Sequence, residues 1–134
     1  MTNKGKIIRI KYITRQMVRE NRHQYYVFSD NMIHKGYGGQ AKEMRGEINS
    51  IGIPTKWKPD TKSDSYFSDS DLKSTVIVEI DNVFMKIQWI LNQGGDIIIP
   101  SDGIGTGLAK LELCAPKIFH YIQNRIKILE EEFK

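Results

Sequence analysis

The chain has 134 residues, of which 20 are lysine or arginine and 16 are aspartate or glutamate, so its formal net charge is +4. Hydrophobic residues make up 40% and charged residues 27% of the chain, which excludes a disordered chain, a collagen-like chain and a disulfide scaffold. The length predicts a single domain over residues 1–134 with one hydrophobic core.

The first quarter of the chain predicts two strands. Residues 6–12 (KIIRIKY) alternate in part and are rich in isoleucine and tyrosine, and residues 25–29 (YYVFS) are a short apolar and aromatic run. The polar stretch between them, 15–24, predicts a loop or a short helix. Asp30 and Asn31 favour a turn directly after the second strand.

A glycine-rich loop at 34–39 (HKGYGG) comes next and leads into a predicted helix at 40–45 (QAKEMR), whose residues are good helix formers. Gly46 ends that helix. The apolar run 50–55 (SIGIPT) predicts a third strand. Residues 56–70 have no periodicity, so we expect them to form an exposed loop.

A long helix and a buried strand are predicted next. Ser68 or Asp69 can cap a helix over 72–91, where apolar residues recur at spacings of three and four. Trp89 lies in this helix and is predicted to belong to the core. Residues 96–100 (DIIIP) are apolar without alternation, which is typical of a strand that is buried on both faces.

A second glycine-rich loop at 101–107 (SDGIGTG) follows this strand, and a final amphipathic helix is predicted at 116–133. Strands and helices therefore alternate, which predicts an α/β architecture with a largely central sheet. In such sheets, ligands bind beyond the carboxyl ends of the strands. Because both glycine-rich loops follow strands, we expect them to meet at that edge.

The two glycine-rich loops are candidate phosphate-binding elements. In residues 35–39, glycine lets backbone N–H groups approach a ligand, and the helix that follows would add a partial positive charge. Gly103, Gly105 and Gly107 would form a second cradle, so that a diphosphate is held between two backbone nests. The alternatives are a flexible connection for the first loop and a tight strand-to-helix turn for the second.

Several polar side chains lie beside these loops in sequence. Lys56 can pair with a phosphate or a carboxylate, and Trp57 can stack on a base or a ribose. Alternatively, Lys56 opens an exposed loop and Trp57 anchors it. Asp30 and Asn31 can bond ribose hydroxyls or cap the next segment. Asp102 can orient a water molecule, or it is an ordinary turn aspartate.

The remaining features bear on compartment and partners. Cys114 is the one cysteine and cannot form an intramolecular disulfide, which favours a reducing cytoplasm. Residues 1–9 do not read as a signal peptide, and no stretch approaches the roughly 20 apolar residues of a membrane span. The three histidines and Cys114 lack metal-site spacing, so neither a metal nor a cofactor is predicted. The pI of about 9.1 is compatible with an anionic partner of any size.

The order of these motifs resembles that of macro domains, which are three-layer α/β/α modules that bind ADP-ribose. The resemblance covers about residues 25–129, through FSDN, KGYGGQAKEM, IPTK and IPSDGIGTGLAKL. It is nearest to glycohydrolases that release terminal ADP-ribose and to antitoxin macro domains that remove ADP-ribose from DNA. The whole block also looks like small bacteriophage proteins of unknown activity.

The resemblance implies a central mixed sheet and an ADP-ribose-type ligand, either free or attached to a macromolecule, with nucleic acid only as a modified substrate. In the resembled glycohydrolases, a lysine after threonine attacks the ribose and an aspartate after Gly-x-Gly-Leu assists. Lys56 matches the first position, whereas Ala109 stands at the second. Asp102, seven residues earlier, is the candidate substitute.

The predicted catalytic residues are thus Lys56 and Asp102. The predicted ligand-binding residues are Asp30, Asn31, Lys35, Gly36, Gly38, Gly39, Gln40, Arg45, Thr55, Trp57, Ser101, Gly103, Ile104, Gly105, Thr106 and Gly107. Three functions follow from the sequence. The first is hydrolysis of an ADP-ribosyl linkage. The second, motivated by Ala109, is a binding module that sequesters an ADP-ribose-derived signal without turnover. The third, which rests on the pI alone, is a basic nucleic-acid-binding protein.

Overall fold

A sheet of four parallel strands carries the fold. The computed structural model describes residues 3–134. Its strands are β1 (Ile7–Ile10), β2 (Gln24–Asn31), β3 (Ser50–Lys56) and β4 (Asp96–Pro100), in the spatial order β1-β4-β2-β3. Every neighbouring pair is parallel, so the sheet is not mixed as the resemblance implied. The reason is that a helix lies in each connection and returns the chain to the same end of the sheet.

Helices cover both faces of this sheet. They are α1 (Arg15–Glu20), α2 (Ala41–Met44), α3 (Thr75–Asn92), α4 (Leu111–Cys114) and α5 (Pro116–Glu132). Helices α1 and α2 pack on one face and α3 and α5 on the other, so the three-layer α/β/α architecture is confirmed. Strand β4 is buried on both faces. Its Ile98 packs on the side of α1 and α2, whereas Ile97 and Ile99 pack on the side of α3 and α5.

The predicted capping residues cap other helices than expected. Ser74 caps α3, since its side chain accepts a hydrogen bond from the Val76 N–H group. Ser68 instead caps a 3₁₀ turn over Asp69–Lys73. Asp69 accepts a hydrogen bond of 2.9 Å from the backbone N–H of Lys117 and so caps the start of α5.

Two further expectations are corrected. The segment after β3 is not simply an exposed loop, because it contains a 3₁₀ turn at Ser63–Ser65 and its Phe67 side chain is buried in the core. Trp89 is 64% exposed and does not belong to the core. Its neighbours Ile87 and Ile90 take the inward positions of α3, which turns position 89 towards solvent.

A cluster of charges ties α1 to the chain that follows α2. The Glu47 carboxylate accepts hydrogen bonds from Arg15, Arg19 and Arg22 at 2.6, 3.1 and 3.0 Å. These guanidinium groups, Arg15 foremost, lower the pKa of Glu47 to about 2. The cluster thereby holds α1 and α2 together on one face of the sheet.

Candidate functional site

A cleft lies where two neighbouring strands send the chain to opposite faces of the sheet. After β2 the chain turns to α2 on one face, and after β4 it turns to α4 and α5 on the other. The two strands pair from Gln24–Asp96 to Tyr26–Ile98 and then separate towards their carboxyl ends. Such a switch point is where open α/β sheets bind their ligands.

The cleft has a volume of about 530 Å³ and is bordered by the carboxyl ends of all four strands. Ile13 follows β1, Asn31 ends β2, Lys56 ends β3 and Asp102 follows β4. This volume lies within the usual range of sites for small organic ligands, about 300–1,000 Å³. The geometry therefore offers room for a nucleotide-sized molecule.

Most of the predicted site residues line this cleft. They are Asp30, Asn31, Lys35, Gly36, Gly38, Gly39, Gln40, Arg45, Thr55, Lys56, Asp102, Thr106 and Gly107. The lining residues that the sequence prediction did not include are Ile13, Ser29, Ala41, Glu43, Pro59, Leu108 and Ala109. Only Leu108 and Ala109 had a sequence signal, because they directly continue the second glycine-rich loop.

Trp57 and Ile104 lie outside the cleft. The Trp57 ring packs edge-on against Phe67, with 5.4 Å between the ring centroids, and its Nε1 donates to an oxygen of Asp71. Trp57 therefore anchors the segment after β3, which was the alternative interpretation. Ile104 is completely buried in the core beside the second loop.

In the second loop, Ser101 and residues 103–105 also lie outside the cleft, whereas Asp102 lines it. The Ser101 N–H donates to the carbonyl of Ile10, and the Gly105 N–H donates to Oγ of Ser29 at 2.8 Å. Gly103 turns the chain with a φ of +96°. These residues fold the loop onto the sheet, so that Asp102 and residues 106–109 border the cleft and residues 103–105 do not.

Both loops nevertheless present backbone donors. Among residues 3–134, the N–H groups of Gly38, Gly39 and Gln40 have no acceptor, and the same holds for those of residues 106–109. Because α2 has only four residues, it contributes little macrodipole. The donors themselves, on two sides of one cleft, are what an anionic ligand would meet.

Gln40 braces the two separated strands. Its Oε1 accepts a hydrogen bond from the Ser29 N–H in β2, and its Nε2 donates to the carbonyl of Gly103 after β4, both at 2.8 Å. Both groups of the carboxamide are therefore engaged with protein. The side chain holds the cleft open at a fixed width, which is a positioning role.

We expect Gln40→Ala to destabilise the protein by about 1–3 kcal/mol, because a backbone donor and a backbone acceptor lose their partner. Urea denaturation of the variant and the parent measures this difference. Gln93→Ala is the control, since Gln93 is exposed at the end of α3 and its loss is expected to change stability by less than about 0.5 kcal/mol. Equal stability of the two variants would contradict the bracing role.

Asp30 and Arg45 shape the first loop. Asp30 is 6% exposed, and its carboxylate accepts hydrogen bonds from Arg45 Nη2 at 2.5 Å and from the Asn31 N–H at 2.7 Å. Its second oxygen lies 2.8 Å from Nδ1 of His34. Arg45 also donates to the carbonyl of Gly36 at 2.6 Å. This network fixes the loop that lines the cleft.

Asn31 acts within the same loop. Its amide group donates to the carbonyl of Lys35 at 2.7 Å, and its side-chain oxygen accepts from the Lys35 N–H at 3.3 Å. The side chain thus closes a turn, in agreement with the capping alternative. The turn includes His34, whose φ of +57° is rare for a residue with a side chain.

Lys56 is the one lysine of the cleft that is buried. It is 7% exposed in the last position of β3, and its Nζ donates to the carbonyl of Asp60 at 2.7 Å. The expectation that it opens an exposed loop is therefore wrong. Burial lowers the pKa of Lys56 below its usual value, the charge of Asp60 acts in the opposite direction, and the charge of Lys110 lowers it further. A lysine in this state has more neutral, nucleophilic amine near pH 7 than an exposed one.

Asp102 and Ala109, which follow β4, also line the cleft. Asp102 is exposed, and within residues 3–134 its carboxylate has no hydrogen-bond partner. Ala109 is 5% exposed and forms part of the wall. Ala109 therefore lines the same cleft as Lys56.

Fold and site together define an α/β protein with a ligand-sized cleft at the switch point of a parallel sheet. The chain belongs to a family of unknown function (DUF7831), which it matches over residues 8–125. No curated protein and no solved structure matches the chain. Within residues 3–134, no helix is long and apolar enough to cross a membrane, and no three side chains of the metal-binding types cluster.

Proposed function

We propose that the cleft binds ADP-ribose or an ADP-ribose-derived nucleotide and that the protein hydrolyses an ADP-ribosyl linkage. The observation that supports this most is that both glycine-rich loops and the buried Lys56 border one cleft. Unpaired N–H groups from the two loops suit the oxygens of a diphosphate. The resemblance to macro domains gives the same ligand class.

The proposed chemistry uses Lys56 and Asp102. Lys56 acts on the ribose carbon that carries the leaving group, either as a nucleophile or by stabilising charge, and Asp102 activates water or protonates the leaving atom. In the net reaction, the bond between that carbon and the leaving atom breaks. Water supplies the hydroxyl group to the carbon and the proton to the leaving atom.

The second candidate is a module that binds the ligand without turnover. Ala109 favours it, because this wall residue carries no acid–base group. Such a module would sequester an ADP-ribose-derived signal, as a phage protein that counters host defence would. A reducing cytoplasm, that of the host if the protein is phage-encoded, is the proposed compartment for both candidates, in keeping with the free thiol of Cys114.

Release of ADP-ribose from ADP-ribosylated protein and ADP-ribosylated DNA distinguishes the two. We expect several turnovers per protein molecule on one of these substrates, and an increase in rate of about tenfold or more for Ala109→Asp, which adds a carboxylate to the wall of the cleft that Lys56 also lines. One equivalent of bound ligand without product would instead support the binding module. Neither binding nor product would exclude both.

A further inference from the structure

Lys110 has a backbone conformation that a lysine adopts at a cost. Its φ and ψ are +48° and +39°, in the left-handed region, where a residue other than glycine or asparagine costs about 1–2 kcal/mol. It directly follows Ala109 in the wall of the cleft. Such conformations in folded proteins concentrate at functional sites.

The Lys110 side chain lies beside the ring that also contacts Lys56. Nζ of Lys56 is 4.5 Å from the centroid of the Tyr66 ring, and Nζ of Lys110 is 5.9 Å from it. Tyr66 is itself held next to Lys56 by an isolated antiparallel bridge. Tyr66 thus fixes two lysine nitrogens around one aromatic ring. Within residues 3–134, Lys110 forms no ion pair that would neutralise it.

We propose that Lys110 is a positioning residue whose charge favours the neutral, nucleophilic form of the Lys56 amine, with Tyr66 as the surface that holds both side chains. A second positive charge close to a buried ammonium group disfavours protonation of that group. Lysines are activated for attack on electrophilic carbon in this way. The proposal rests on the proposed function only for the identity of the carbon that Lys56 attacks. The protonation state of the amine is a property of the ligand-free protein.

Other charged groups also act on Lys56. The Asp60 carboxylate, which accepts hydrogen bonds from Ser65 and from the Lys62 N–H, raises the pKa of Lys56 and outweighs the opposite effect of Lys110. The remaining charged side chains that line the cleft are Asp30, Lys35, Glu43, Arg45 and Asp102. Of these, Asp30 is paired with Arg45, and Glu43 caps α1 through the Arg15 N–H. Lys110 is therefore the positively charged group whose removal should change the titration of Lys56 most.

The test is the titration of Lys56 in the ligand-free full chain, followed by NMR after ¹³C reductive methylation or by competitive acetylation between pH 6 and 11. Lys110→Asn removes the charge and suits the left-handed backbone, so it is expected to fold. We expect its Lys56 to titrate at higher pH than in the parent, with acetylation at pH 8 slowed about twofold to tenfold. Lys110→Arg keeps the charge and is expected to leave both measurements unchanged.

An unchanged Lys56 titration in Lys110→Asn would overturn the proposal, and so would an equal shift in Lys110→Arg, since the effect would then not depend on charge. If Lys110→Asn failed to fold, Lys110→Gly would replace it as the neutral variant. Because no ligand is present, absence of ADP-ribose binding would refute the proposed function and leave this result standing. Where turnover is measurable, the acidic limb of kcat/KM against pH, on which the rate rises as Lys56 loses its proton, should move to higher pH in Lys110→Asn by the same shift.

Discussion

Replacing Lys56 with methionine is expected to lower turnover of an ADP-ribosylated substrate by at least about a thousandfold, because the variant has no amine to attack or stabilise the ribose carbon. Methionine keeps an apolar stem of similar length in the buried site at the end of β3. The lost contacts are the hydrogen bond to the Asp60 carbonyl and the approach to the Tyr66 ring. These together are expected to lower stability by about 1–2 kcal/mol, so the protein stays folded.

Initial rates of ADP-ribose release, together with the urea midpoint, measure both effects. Lys86→Met is the matched control, because Lys86 is exposed on α3 and does not line the cleft. Its rate and stability should equal those of the parent. Parental rates in Lys56→Met would remove Lys56 from the chemistry.

Gly105→Val is expected to destabilise the protein by about 3 kcal/mol or more and to lower Tm by about 10 °C. Gly105 has a φ of +80°, and a Cβ there would lie 2.7 Å from Cδ2 and 3.0 Å from Cβ of Leu111. Leu111 is completely buried at the start of α4 and cannot move away cheaply. The sequence placed Gly105 in a phosphate cradle, whereas the structure predicts that a side chain at this position conflicts with the core.

Gly46→Val separates the backbone cost from the steric conflict in the stability that Gly105→Val loses. Gly46 has a φ of +91°, but a Cβ there meets no atom within 4 Å. This variant therefore shares the backbone cost of about 1–2 kcal/mol and lacks the steric conflict. Thermal unfolding of both variants measures the difference. Equal losses of stability would show that the contact with Leu111 is not what requires glycine at 105.

The features of the fold that were predictable are those encoded locally. Apolar runs located all four strands, and spacings of three and four located α3 and α5. Helix α4 was missed because four residues carry no detectable periodicity. The outward position of Trp89 and the separation of β2 from β4 were not predictable, because both depend on which element packs beside which.

The candidate site likewise has features that the local sequence predicted and features that it did not. Glycine loops after strands predicted the edge at which the cleft lies, and the lysine at the end of the third strand predicted a cationic group there, although not its burial. The bond from Gln40 to Gly103 and that from Gly105 to Ser29 join residues 63 and 76 positions apart, so no local pattern contained them. The same applies to the Tyr66 ring, which lies in a segment expected to be an exposed loop and instead contacts both Lys56 and Lys110.

Isothermal titration calorimetry with ADP-ribose tests most directly whether the cleft is the binding site. Gly107→Phe is the decisive variant, because Gly107 lines the cleft and a Cβ there meets no atom within 4 Å, so we expect the ring to obstruct the cleft while the fold is kept. Glu112→Phe, on the exposed side of α4, is the control. We predict saturable one-to-one binding by the parent and by Glu112→Phe, and none by Gly107→Phe. The absence of binding by the parent at millimolar ADP-ribose, or undiminished binding by a folded Gly107→Phe, would contradict the account.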